Sequence, residues 1–197
     1  MKVVAALLCV LGLAVPLRGL ATTQMPDLAI VDGQRGDLYG DVPDVPFVSM
    51  AWVMKRNHGQ PDPEVDAAWA RLRPYRAGGS CSAAWRGYLA TWEVRADKLW
   101  LVGLTFEPCN GRSPVPISAL FPQAANGAFA DWVSGKLIVS IGPWTREVGP
   151  YGHFDAYWQI TVHKGEIVSR DRIDQPWSPY AVSARPRAPS SPAQTPR

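Results

Sequence analysis

The sequence predicts an α+β domain dominated by strands: a mostly antiparallel sheet of about six or seven strands in three hairpins, with one helix. Three observations carry this. Two β-rich runs flank a short polar break at Arg95-Ala96-Asp97-Lys98. Residues 154–173 alternate apolar and polar around Lys164-Gly165. One stretch, 63–73, combines helical spacing with a helix-start signal.

The elements follow in chain order. Met1-Lys2 opens a positive start, residues 3–15 are an apolar run, and Gly19 and Ala21 are small. These are the three parts of a secretory signal, with cleavage after Ala21. The run is shorter than the ~20 residues a membrane-spanning helix needs, so no stable membrane span is expected once the signal is removed. Residues 22–46, rich in Asp, Gly and Pro, predict an irregular entry, and the apolar run 47–54 a buried strand. Asp62 is an N-cap acid, Pro63 suits the first turn, and Glu64 sits near the positive end of the helix dipole. Val65, Ala68, Trp69 and Leu72 share one helix face, and Pro74 ends it.

The first hairpin spans 85–94 and 99–106. In its second strand Trp100, Val102, Leu104 and Phe106 are expected on one face and Leu99 and Leu101 on the other. Both faces are apolar, which predicts a central hairpin covered on both sides. Residues 117–121 predict a short turn or helix before Pro122. A second hairpin is expected from 129–133 and 137–141 around Ser134-Gly135. In the third, Phe154, Ala156, Trp158, Ile160 and Val162 form the apolar face. With Lys164-Gly165 as its loop, His163 should face Glu166, Gln159 Arg170, and Tyr157 Arg172.

This places a single domain at 22–175. Residues 176–197 carry six prolines among Ser, Ala and Arg, too few apolar groups to offset the entropy of ordering, and predict a disordered tail. The chain has 20 basic and 17 acidic residues, but the ends hold Lys2, Arg18, Arg185, Arg187 and Arg197. Without them, 15 bases face 17 acids. The basic character belongs to the ends, which argues against nucleic-acid binding by the domain.

Two cysteines survive cleavage, Cys81 and Cys109. An even pair in an exported domain most simply forms a disulfide. It would close a loop of about 28 residues and contribute about 3–4 kcal/mol on the chain-entropy model.

The segment Trp85-Arg86-Gly87-Tyr88-Leu89-Ala90-Thr91-Trp92-Glu93, followed by Leu99-Trp100-Leu101-Val102, resembles one found in a set of uncharacterised exported bacterial proteins. Leu120-Phe121-Pro122 and the stretch from Ala130 to Leu137 are similar to later parts of the same set. The resemblance covers roughly residues 80–170. It implies a single β-rich domain and carries over no functional residues.

Nine tryptophans are a high density for this length. Each offers a large apolar face and one N–H donor, a combination that suits the core and also flat sugar rings. Trp100 and Trp158 fall on apolar strand faces and are expected in the core. Trp85 and Trp92 lie on opposite faces, so one of them can be exposed. Trp144, in the Gly/Pro-bounded loop 142–149, is the best candidate for an exposed contact, with Tyr151 close by. His153, Asp155, Tyr157, Gln159 and His163, with Glu166, Arg170 and Arg172 on the returning strand, form a polar strip that is either a solvated face or a binding surface.

Other chemistries are weaker. His153 and Asp155 could share an ion, but three histidines without zinc-ligand spacing predict no metal site. No cofactor motif is present. Cys81 follows a Gly-Gly-Ser turn, and His153 or His58 could act as its base. No Gly-x-Ser-x-Gly elbow occurs. Asp62, Glu64 and Asp66 are explained by the helix dipole. The expectation is therefore a non-enzymatic exported protein, binding or inhibitor-like, that recognises a protein or glycan partner in the periplasm or outside the cell. The alternatives are an envelope hydrolase using Cys81 with a histidine or an acid pair, and a structural envelope protein contacting through its tail.

Overall fold

A computed structural model describes residues 23–49, 60–76, 81–109, 114–146 and 152–180. The expected β-rich domain with one substantial helix is present, but its strands close into a barrel instead of lying in an open sheet.

The first correction lies in the entry segment. Strands β1 (Asp27–Val31) and β2 (Gln34–Gly40) form an antiparallel hairpin where an irregular entry was expected. Asp32 and Gly33 turn it, both at positive φ, as Asp-Gly does in two-residue hairpin loops. The strand expected at 47–54 is not seen: residues 46–48 form a turn, and residues 50–54 lie outside the described residues. Helix α1 (Pro63–Leu72) follows as expected. Asp62 accepts from the backbone N–H groups of Glu64 and Val65, and Val65, Ala68 and Leu72 are buried. A 3₁₀ turn, Arg73–Tyr75, continues it past Pro74.

Strands β3 (Tyr88–Arg95) and β4 (Lys98–Phe106) form the expected hairpin, turned by Ala96 and Asp97 at positive φ. A bulge leaves Val102 unpaired between Leu101, opposite Trp92, and Gly103, opposite Thr91. It reverses the strand's facing midway. Leu99 and Leu101 therefore share the interior with Leu104 and Phe106, while Trp100 turns outward against Phe129. The expected face sharing of Trp100 with Leu104 and Phe106 is thus corrected.

Short elements follow: β5 (Pro114–Val115), the helical turn α2 (Ile117–Leu120), and β6 (Ala128–Phe129). Strand β7 (Gly135–Ile141) does not pair with β6. It pairs with β2 and with β8 (Ala156–His163), so the expected second hairpin does not form. Residues 130–133 turn away instead, held by Val133 N–H on Ala130 O and by Gly165 N–H on Val133 O.

The third hairpin pairs β8 with β9 (Glu166–Ile173). His163 faces Glu166 as expected. Beyond the Val162–Ile167 pair, Val168 is bulged out and the register moves by one. Ile160 then faces Arg170, Trp158 faces Arg172, and Gln159 faces Asp171. Cross-strand partners share a face, so Arg170 and Arg172 leave the side that carries Tyr157.

The ring runs β3–β1–β2–β7–β8–β9–β4 and returns to β3. Seven strands cannot close with antiparallel pairs alone. The parallel pair is β1–β3, reached by the long connection 41–87 that contains α1. Closure between β4 and β9 is narrow. It rests on the Lys98–Glu166 pair, flanked by Leu99 N–H on Gly165 O at 2.7 Å and Ile167 N–H on Asp97 O at 2.9 Å. Further along, β5 and β6 pair with β4, and β9 diverges. Arg170 reaches from β9 to Asp32 in the β1–β2 turn at 2.7 Å.

Inside lie Val31, Leu38, Trp92, Leu101, Leu137 and Ile160, all fully buried. Asp27 is the polar exception, at 0% exposure. Its carboxylate accepts from Arg86, from the Ala90 N–H at 3.0 Å and from the Trp92 indole at 3.2 Å. The disulfide Cys81–Cys109 ties the segment before β3 to the one after β4, with a Cα–Cα distance of 5.4 Å.

Candidate functional site

Strand alternation sends Leu38 inward and leaves Asp37 and Tyr39 on the outer face of β2. On the neighbouring strands Ser140 and Tyr157 are direct partners facing the same way. The Asp37 N–H donates to Ser140 Oγ at 2.8 Å. This outer face is not simply solvated. Residues 152–154 and 176–180 fold over it and bring six aromatic rings together.

The contacts are specific. Trp177 makes a two-way backbone bridge with Phe154, at 2.8 and 2.9 Å. Its ring stacks on Phe154 at 6.4 Å and meets Tyr39 at 5.1 Å and Tyr157 at 5.7 Å. Trp144 packs edge-on against Phe154 at 4.9 Å and Tyr180 at 5.8 Å. Gly152 makes room for it. A Cβ there would lie 2.7 Å from Trp144 Cε2, and φ is +67°.

Beside this cluster opens a cleft of ≈ 970 Å³, lined by Tyr39, Trp144, Tyr180, Asp37, Arg146 and Gln24 among others. A second cleft of ≈ 570 Å³ shares Gln24, Met25, Pro26, Tyr39 and Tyr180 with it. The two lie side by side along these residues. The second part runs past Arg86 to Trp85, which is 77% exposed. Gln24 fixes one wall: it donates to Ser82 O at 3.0 Å and accepts the Trp85 N–H at 3.0 Å.

The electrostatics are uneven. At the base of the second part, Arg86 is paired with buried Asp27 and lies over the Tyr88 ring at 4.9 Å. Burial raises the Asp27 carboxyl above its ordinary value, with Arg86 opposing. Burial also raises Asp37, opposed by the Tyr39 hydroxyl, which donates to its Oδ2 at 3.4 Å. The Tyr39 phenol is held well above its usual range by burial, with the Asp37 charge adding to the effect.

The residues singled out from sequence separate into three groups. Trp144 and Tyr157 join the aromatic cluster. His153 pairs with Thr145 across a short bridge, and its Nε2 lies 3.3 Å from Asp155 Oδ1, with Asp155 exposed. Arg170 and Arg172 lie on the opposite side of the β8–β9 hairpin. Arg170 sits over Trp158 and on Asp32, and Arg172 on Asp174 at 2.9 Å. The single polar strip expected from sequence is therefore split by the Val168 bulge. Tyr151 lies outside the described residues. Trp85 is exposed and Trp92 buried, but β3 begins at Tyr88 and not at Trp85, so Trp85 lies in the turn before the strand and not on one of its faces. Cys81 and Cys109 form the expected disulfide.

Sequence reasoning missed Asp37, Tyr39, Trp177 and Tyr180. Tyr39 lay in a strand masked by flanking glycines, and Trp177 and Tyr180 in a segment dominated by proline. Their aromatic character, unusual in such a segment, was the available signal. No family model, curated protein or solved structure matches this chain.

Proposed function

We propose that this protein is an exported, non-catalytic glycan-binding domain of the bacterial envelope, and that the groove between Trp144 and Trp85 is its binding site. The observation that carries the reading is a pair of adjoining clefts, one lined by Trp144 and the other by Trp85, with charged and amide groups in both. Flat apolar ring faces suit the C–H faces of sugars, and hydroxyls need charged or amide partners beside them. Asp37, Arg86 and Arg146 are placed for that.

Export rests on the N-terminal signal features and agrees with the disulfide, which persists in oxidising compartments. The same disulfide weighs against a hydrolase working through Cys81, because a bonded sulfur is no nucleophile. An inhibitor-like role would use the same groove to seat a partner's side chains.

The test is calorimetric titration of the exported protein with soluble oligosaccharides, neutral, N-acetylated and amino-bearing. Binding is expected for at least one class. Trp144→Ala should weaken it about tenfold or more, since stacked aromatics carry much of such affinity. Binding that survives both Trp144→Ala and Trp85→Ala would exclude the groove.

A further inference from the structure

We infer that the groove selects a ligand bearing a protonated amino group, which pairs with Asp37 against the rings of Tyr39, Trp144 and Tyr180. On the glycan reading, which this inference deepens, the ligand is an amino sugar with its nitrogen free instead of acetylated.

The argument starts from what Asp37 lacks. Its side chain lines the wider part of the groove and is half-buried by β2 and its neighbours. Among the described residues it forms no ion pair. One hydrogen bond, from Tyr39, reaches Oδ2. Oδ1 accepts none from the described residues. Asp27 shows the contrast: an equally conspicuous carboxylate that the fold satisfies with a guanidinium, an indole and a backbone N–H. Asp37 is left partly desolvated, with one hydrogen bond and no counter-charge among the described residues.

A half-buried carboxylate with no counter-charge carries a desolvation cost that a cation can offset. An external cation answers the deficit. The surroundings suit one. Aromatic faces attract ammonium groups through their quadrupoles, and an acid beside such faces adds the ion pair. Two cations stand near. Arg35 lies two residues back on the same strand face, and Arg146 lines the groove, but both are exposed and neither forms an ion pair with Asp37 among the described residues. A compact ammonium on a sugar ring can reach a half-buried carboxylate where a solvated guanidinium has not.

The experiment compares glucosamine hexasaccharide with its fully N-acetylated counterpart at about pH 6, where the amines are largely protonated and carboxylates ionised. The two probes share ring size, linkage and length. The amine form is expected to bind about tenfold or more tightly to the wild type. Asp37→Asn, which keeps size and hydrogen bonding, should remove that preference, so that the two probes bind about equally. Equal binding of both probes, lost in Trp144→Ala, would overturn the amine preference while leaving the glycan reading in place. A preference that persists in Asp37→Asn would remove Asp37 from the site. No binding of either probe would overturn both.

Discussion

Asp27 and Asp37 sit on the same region of sheet and meet opposite fates. Asp27 is enclosed in the barrel, and both its oxygens accept hydrogen bonds, three in all. Replacing it with alanine strands Arg86, whose side chain is 15% exposed, without its partner. Breaking a buried pair in this way typically costs about 3–5 kcal/mol. Urea unfolding of Asp27→Ala should show that loss, and a loss below about 1 kcal/mol would mean the pair is not structural. Asp37 runs the other way. Burial raises its carboxyl above the unfolded value of 3.8, so the folded state holds the proton more tightly than the unfolded chain. Its contribution to stability is greatest when protonated and is lost as pH rises through the raised value. Asn at this position removes that loss. Thermal melts from about pH 4 to pH 7 should therefore show Asp37→Asn gaining on the wild type as pH rises. A constant gap would contradict the assignment. At this scale the sequence was partly legible. Trp144 stood out because glycine and proline bound its loop. The Asp27–Arg86 pair did not, because its members are 59 residues apart and no local pattern links them.

The helix and two of the expected hairpins were readable because their signals are local: a cap acid before proline, and short polar turns between apolar runs. Ala96 and Asp97 both occupy left-handed backbone, which is unfavourable for Ala and less readily adopted by Asp than by Gly. Replacing them with Asn-Gly should raise stability by about 1 kcal/mol, read as a shift in urea midpoint at unchanged slope. Any decrease would contradict the turn geometry. What escaped the sequence were the bulges at Val102 and Val168. One extra residue flips every side chain beyond it, so alternation read as continuous assigns faces wrongly past that point. Both bulged residues are valines, which otherwise read as good strand positions. The bulge at Val168 also has a protective effect. It twists β9 where its edge leaves β4, and Arg170, Asp171 and Arg172 line that edge with charge, which discourages pairing with other chains. The hairpin expected at 129–141 failed for a related reason. The alternation of β7 is real, but its partners are β2 and β8, and no turn signal announces a strand almost 100 residues distant.

Closure of the ring is a property of the whole molecule and rests on those non-local pairings. It fixes where the groove can form. The interior is packed with Leu, Val, Ile and Trp92, and the wider part of the groove lies on the outer face of β2, β7 and β8. Residues 152–154 and the segment after β9 then build walls on that face. Trp177 is tied to Phe154 by backbone hydrogen bonds, and Tyr180 reaches the groove. Residues 176–180, read from sequence as part of a proline-rich tail, thus supply one side of the site. The rest of that tail, residues 181–197, lies outside the described residues. The central claim is that this groove, and not another aromatic surface, takes the ligand. Another surface exists: Trp100, Phe121, Phe129 and Trp132 line a shallower groove of ≈ 520 Å³ beside β6. The most direct discrimination is by NMR of the indole N–H signals, assigned by single Trp→Phe variants, during titration with glucosamine hexasaccharide. The account predicts that the signals of Trp144 and Trp85 move together and saturate, while those of Trp92, Trp100 and Trp132 stay in place. Movement centred on Trp100 and Trp132 would put the site on the other groove and contradict it.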